Sequence, residues 1–190
     1  MPQRCSLRNG FPPIVAVITA PDKAAGRGKK IRTSAVKDCA LKHNLPILQP
    51  TNLKSPDFIE ILKTYNANLQ IVVAFRMLPE VVWDMPKLGT FNLHASLLPQ
   101  YRGAAPINWA IINGETETGL TTFFLQHKID TGDVILQQKE TILLKDTIGT
   151  LYERLKLKGG KLILKTLQKI QEGNYKLIPQ IDSEITKEAP

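Results

Sequence analysis

No run of apolar residues in this 190-residue chain approaches the roughly 20 needed to cross a bilayer, so no membrane-spanning segment is expected. Cysteine spacing of the metal or redox type is missing as well. The two cysteines, Cys5 and Cys39, form no C-x-x-C arrangement, so they read as free thiols in a reducing compartment, and no metal centre is expected. The opening Met1-Pro2-Gln3-Arg4-Cys5 has neither an apolar stretch nor a small-residue cleavage site, which predicts no signal peptide. Internal repeats and low-complexity tracts are absent too. A cytoplasmic globular protein is expected: 43 % hydrophobic and 22 % charged residues match a folded domain rather than a disordered chain. The length suits one domain with a sizeable core.

What the chain has in excess is positive charge. It carries 25 Lys and Arg against 17 Asp and Glu, a net charge of +8. This surplus favours a polyanionic partner without requiring one, because many basic proteins bind no nucleic acid.

Short apolar, β-branched runs alternate with amphipathic stretches. Pro13–Thr19 and Leu69–Phe75 read as strands buried on both faces. Pro21–Ile31, rich in Gly and Lys, reads as a loop. Ser34 caps a predicted helix that fades near Asn44, and Ser55-Pro56 opens another with a capping hydroxyl and a ring that needs no N–H partner. Phe58, Ile61, Leu62 and Tyr65 share a face of that second helix. A short helix over Leu78–Met85 and a strand over Gly89–Leu93 follow. Pro106–Asn113 is a helix stopped by Gly114. Two extended runs, Gly119–Gln126 and Asp133–Lys139, precede a long helix over Thr147–Glu172, which Gly159-Gly160 is expected to kink or split. From Asn174 the chain turns polar and irregular. Strands alternating with helices predict an α/β sheet, mostly parallel and covered by helices on both faces, with ligands at the carboxyl ends of the strands.

The stretch richest in reactive side chains runs from Phe91 to Pro106. Asn92 and His94 stand one residue apart, so on an extended strand both side chains face the same way. An amide and an imidazole side by side can hydrogen-bond one oxygen and move a proton, the two services that acyl transfer between nitrogens needs. The same pair also suits a turn-closing Asn beside a half-buried His. Asp130, in the turn Lys128-Ile129-Asp130-Thr131-Gly132-Asp133, could orient the imidazole or simply form the turn before Gly132.

Asn92-Leu93-His94, Ser96-Leu97-Leu98-Pro99, Arg102-Gly103-Ala104-Ala105-Pro106 and Asp130-Thr131-Gly132-Asp133, in this order, resemble the signature of the folate-dependent formyltransferases. The interval from His94 to Asp130 resembles that between the family's catalytic His and Asp, and the likeness covers about residues 10 to 188. It implies a Rossmann-like formyltransferase fold and 10-formyltetrahydrofolate as formyl donor, with no metal. By this likeness Asn92 and His94 stabilise the oxyanion, His94 passes a proton to the folate nitrogen, and Asp130 orients His94 or holds a water. Ser96, Leu97, Leu98 and Pro99 match the segment lining the folate site, with Leu78 as a further candidate for that wall; Leu78 also reads as ordinary core.

The acceptor amine in this family belongs to methionyl-tRNA, a purine-pathway ribonucleotide or a nucleotide-linked amino sugar. The stretch Ala20–Arg32 resembles the basic loop by which the tRNA-acting members grip the acceptor stem. Lys23, Arg27, Lys29 and Lys30 are the candidate tRNA contacts, Arg27 foremost, since cations meet phosphates and Arg also reaches base edges. A solvated basic turn is the plainer reading of that loop. The resemblance thus implies initiator methionyl-tRNA as substrate and partner, no membrane, and a monomer. Formylation of an amino sugar, or an inactive folate- or RNA-binding remnant, are the rival readings. Residues 1–12 are too few for the strand and helix with which the family begins, so an N-terminally incomplete catalytic domain is expected over residues 1–173. Residues 174–190 are expected to act as a linker toward an absent β-rich domain.

Overall fold

The computed structural model of the chain describes residues 12–25 and 30–189. They divide into two compact units: the described residues of Met1–Asn68 together with Phe75–Pro86, and Leu69–Ala74 together with Lys87–Pro190.

In the first unit, β1 (Val17–Ile18) pairs in parallel with β4 (Ile47–Leu48), and β2 (Lys23–Ala25) pairs antiparallel with β3 (Lys30–Arg32). The segment expected as a loop therefore contains a hairpin. The two paired strands are three residues long, too short for a period-2 signal. Helix α1 (Ala35–Lys42) begins where expected, with Ser34 accepting from the Lys37 N–H. Helix α2 (Pro56–Thr64) also starts on time, but the Ser55 hydroxyl makes no cap bond. Proline at the first position already removes one of the donors a cap would satisfy. Phe58 and Leu62 of α2 are buried with Leu53 and with Val82 of α3 (Glu80–Trp83), and Ile18, Leu48, Phe75, Leu78 and Met85 pack around them. Ile61 falls outside this core and is exposed.

The second unit is a four-stranded sheet in the order β5 (Gln70–Val73), β6 (Thr90–His94), β7 (Glu117–Phe124), β8 (Val134–Thr141). Only β5 and β6 run parallel; β6–β7 and β7–β8 are antiparallel. The α/β class stands, but the pairing is mixed rather than mostly parallel. No helix lies between β7 and β8, and a short connection can only return the chain antiparallel. Among the described residues β5 pairs with β6 alone and β1 with β4 alone. The two strands read as buried on both faces are instead edges, and Ile71, Val73, Ile14 and Val15 are exposed.

Side-chain alternation gives the second sheet two different faces. Phe91, Leu93, Leu120 and Leu136 turn toward α4 (Pro106–Ile112) and α5 (Ile148–Glu172), whose Ile107, Ile111, Leu151, Leu155, Leu162 and Ile170 complete the packing. Both helices of this unit thus share one face. On the other face Phe123 and Val134 pack under Leu98, from the loop that follows β6.

Helix α5 is continuous over 25 residues, with no break at Gly159-Gly160. Gly159 serves packing instead: a Cβ there would stand 2.8 Å from Leu93 Cδ2, so its absence lets the helix lie close on β6. Thr147 caps α5 through a reciprocal bond pair with Thr150, and Gly173 ends it in a left-handed conformation.

Candidate active site

Asn92 and His94, with Thr90, are the β6 residues whose side chains leave the helix-covered face. The cross-strand partners of Asn92 and His94 on β7, Phe123 and Thr121, belong to the same face, under the loop that follows β6. The expectation that one strand end presents both groups together is met by this alternation.

His94 is 6 % exposed. Its Nε2 lies 2.8 Å from the Tyr101 carbonyl oxygen. A carbonyl only accepts, so Nε2 is the nitrogen that donates here, and Nδ1 is turned the other way. There it meets the Asp130 carboxylate, with Oδ2 3.6 Å away. That distance is long for a hydrogen bond but close enough for the carboxylate to stabilise an imidazolium. Asp130 Oδ2 in turn accepts from the Gly103 N–H at 2.9 Å. The Tyr101–Gly103 turn therefore supplies a backbone acceptor to the imidazole and a backbone donor to the carboxylate.

Both loops around His94 are bent tightly. Tyr101 (φ 55), Ala105 (φ 53) and Asp130 (φ 51) are left-handed, an uncommon state for residues with a Cβ. At Gly132 a Cβ would stand 1.7 Å from the Phe124 carbonyl oxygen, so only glycine lets the Asp130 loop pass that close to the end of β7.

The Asn92 Oδ1 is buried without a hydrogen-bond partner, and among the described residues only Arg102 Nη2 shares that condition. An unmade bond of this kind typically costs about 1–3 kcal/mol. An acceptor left open two residues from His94 on the same face is suited to an incoming N–H.

The loop that follows β6 is held from below. Thr121 Oγ1 donates to the Ser96 carbonyl at 2.7 Å and accepts from the Leu98 N–H, and Gln137 Nε2 donates to the Leu98 carbonyl at 2.7 Å. Ser96, 0 % exposed, donates its hydroxyl to the Gln100 carbonyl at 2.6 Å. Leu98 lies in the core with Phe123 and Val134. Of the five residues expected to wall the folate site, Ser96 and Leu98 therefore shape the loop from inside. Leu97, seated over Gly119, and Pro99 are half-buried. Leu78 packs against the core of the first unit. Of the candidate tRNA contacts, Lys23 is exposed on β2, whereas Arg27, Lys29 and the Lys30 side chain lie outside the described residues.

Residues 174–189, which include a 3-10 turn over Asp182–Glu184, are tied to the site loops. Ile178 exchanges both backbone bonds with Val134, and the Tyr101 N–H donates to the Lys187 carbonyl at 2.9 Å. Gln180 Nε2 donates to the carbonyls of Asp130 (2.9 Å) and Gly132 (2.7 Å), and its Oε1 accepts from Arg102 Nε at 3.0 Å. Arg102 also pairs with Asp182 at 2.8 Å. The Tyr101 hydroxyl donates to Glu115 at 2.6 Å, and Lys187 closes an ion pair on the same carboxylate. Burial pushes the Tyr101 phenol up, helped by Glu115. Burial also works to raise Glu115, but Lys187 and Tyr101 outweigh it and hold that carboxyl below its ordinary value. Neither Gln180 nor the backbone groups of Tyr101 and Gly103 stood out as site residues in the sequence. Nothing local marks Gln180, and backbone atoms have no sequence signature. Among the described residues no group of three or more His, Cys, Asp or Glu could hold a metal ion, and no helix is long and apolar enough to cross a membrane.

The family model described as formyl transferase matches residues 2–167. The chain belongs to the formyl transferase family. Methionyl-tRNA formyltransferase of Bacteroides fragilis is 58 % identical over 185 residues, covering 97 % of this chain and 57 % of that protein. The enzyme of the same name from Flavobacterium psychrophilum is 61 % identical over 176 residues, covering 93 % and 56 %. The chain thus spans somewhat over half the length of these curated formyl transferase relatives. Among solved structures, phosphoribosylglycinamide formyltransferase from Anaplasma phagocytophilum superposes with a TM-score of 0.73 at 22 % identity, covering 90 % of this chain and 79 % of that one. The formyltransferase PseJ from Anoxybacillus kamchatkensis, solved with a formamido sugar nucleotide and tetrahydrofolate, gives 0.63 at 25 %, covering 90 % and 85 %. These likenesses establish the formyl transferase fold for the chain.

Proposed function

We propose that this chain is the catalytic part of an enzyme that moves a formyl group from 10-formyltetrahydrofolate to the amino group of initiator methionyl-tRNA. The observation that carries the reading is one sheet face bearing Asn92, with an open buried acceptor, and His94, with Nε2 committed to Tyr101 and Nδ1 facing Asp130.

These residues fit a folate formyl donor, which would supply an N-formyl carbon open to attack by an amine. Asn92 Oδ1 would accept an N–H of the attacking amine, and the other end of the same amide can donate to the oxygen that gains charge. His94 has one place for an added proton, Nδ1. Protonation there leaves both ring N–H groups facing acceptors, the Tyr101 carbonyl and the Asp130 carboxylate, so the imidazolium is stabilised where it forms. From Nδ1 the proton can return to the departing nitrogen. Leu97 and Pro99 would offer the donor apolar contact, while Ser96 and Leu98 hold that loop in shape.

The choice of tRNA as acceptor is supported by the names of the relatives at 58 % and 61 % identity and by the cations Lys23, Arg27, Lys29 and Lys30. This reading places the protein in the cytoplasm, acting as a monomer. The test incubates the purified chain with 10-formyltetrahydrofolate and either initiator methionyl-tRNA or a nucleotide-linked amino sugar. Formylated tRNA is expected, with the rate falling on the order of 10²-fold or more in His94→Ala and sharply in Arg27→Ala. Formylation of the sugar alone, or His94→Ala transferring as fast as the parent, refutes the proposal.

A further inference from the structure

We infer that Gln180 is a positioning residue for the His94–Asp130 pair, a side-chain staple that locks the two loops aiming the imidazole. The inference rests on the formyl-transfer reading and deepens it.

The imidazole is held by the carbonyl of Tyr101 on one nitrogen and faces Asp130 on the other. These partners belong to separate loops, the turn after β6 and the turn between β7 and β8. Direct links between the loops near His94 include the Gly103 N–H to Asp130 bond. One bond fixes a distance but leaves the loops free to rock about it. Gln180 adds three: its amide nitrogen donates to the carbonyls on both sides of Thr131, and its amide oxygen accepts from Arg102, the residue after Tyr101. One planar amide thus spans both loops. The amide is anchored from behind, since Ile178, two residues earlier, is paired to Val134 at the start of β8, and Asp182, two residues later, holds the Arg102 guanidinium.

The amide uses its two donors and its acceptor in one place, a job few side chains can do. Glutamate would keep the bond from Arg102 but face two carbonyls with no proton to give. Alanine would remove all three bonds. In either case the Asp130 and Gly132 carbonyls lose their tether, and the left-handed Asp130 is free to relax. The folate and tRNA contacts named above do not include Gln180, so the effect should fall on the chemical step rather than on substrate binding.

The experiment compares the parent chain with Gln180→Ala and Gln180→Glu. Expected is a kcat lower by about tenfold to a hundredfold, as for small misplacements of a catalytic group, with KM for each substrate within about twofold and little change in melting temperature. In the ¹⁵N spectrum of the neutral imidazole the parent should show His94 as the single Nε2–H tautomer, and both variants a mixture. Parental kcat in both variants, or a kcat loss no greater than the loss of folded protein, overturns the inference. If the parent itself transfers no formyl group, the functional reading fails, and the staple is judged by the spectrum alone. A tautomer mixture in the variants then upholds it, and identical His94 signals in all three proteins overturn it.

Discussion

Replacing Gly132 by alanine tests how tightly the site depends on backbone packing. The added Cβ would stand 1.7 Å from the Phe124 carbonyl oxygen, and real Cβ contacts essentially never fall below 3.0 Å. The loop must therefore retreat by more than about 1 Å, since the obstacle is strand backbone rather than a flexible side chain. Asp130 lies two residues away and is carried with it. Its carboxylate faces His94 Nδ1 at 3.6 Å, already at the outer limit for an ion pair, and the Gln180 bond to the Gly132 carbonyl at 2.7 Å would stretch or break. A displacement of about 1 Å at a catalytic group typically costs on the order of 10²-fold in rate. The assay is steady-state formyl transfer from 10-formyltetrahydrofolate to initiator methionyl-tRNA, with thermal unfolding measured in parallel. Expected is a folded protein whose kcat falls by about two orders of magnitude. A kcat within threefold of the parent would show that Asp130 placement does not govern the chemistry.

The two adjacent glycines of α5 should respond in opposite senses. Gly160 is exposed with open space where a Cβ would go, so Gly160→Ala should stabilise by about 0.5–1 kcal/mol in urea denaturation, whereas Gly159→Ala must displace Leu93 and should forfeit that gain; equal stabilisation by both refutes the close helix–sheet contact. Stability should also fall in acid. Burial works to raise the Glu140 carboxyl, but Lys158 and Arg154 more than reverse this and hold it below its ordinary value of 4.5. The stability it contributes is therefore fully present above that value and is lost as pH falls through the lowered one. Glu140→Gln should lower the melting temperature at neutral pH and flatten its decline below about pH 4.5, and an unchanged slope counts against the network.

The helices were legible because their ends carry local chemistry. Ser34, Pro106, Gly114 and Thr147 each act within a turn of their own position, and a linear reading finds them. What the pattern missed depends on partners far along the chain. Gly159-Gly160 looks like a break in isolation, yet Leu93 makes it a point of close approach. Ser96 and Leu98 look like wall residues, but Thr121 and Gln137 hold their backbone groups and Phe123 packs against the Leu98 side chain, while the Ser96 hydroxyl turns to the nearby Gln100 carbonyl. Pairing direction differed for a local reason instead: β7 and β8 follow one another without a helix between them.

The candidate site divides along this line. Asn92 and His94 were readable as a pair because strand geometry repeats every two residues. Asp130 read from its own turn as either an orienting carboxylate or a turn former, and only the family likeness chose between them, since no local rule carries a residue 36 positions on to an imidazole. The atoms that aim the imidazole, the Tyr101 carbonyl and the Gly103 N–H, are ones that every residue except the N–H of proline possesses. They are in place only because Tyr101 is left-handed, a conformation that costs an ordinary residue about 1–2 kcal/mol. The turn keeps it by securing Tyr101 at three points: the hydroxyl on Glu115 and Asn113, the N–H on Lys187, and the carbonyl on His94 itself. The orientation of His94 is thus a property of the folded loops and of residues 178–187 that close over them, rather than of any motif containing the histidine.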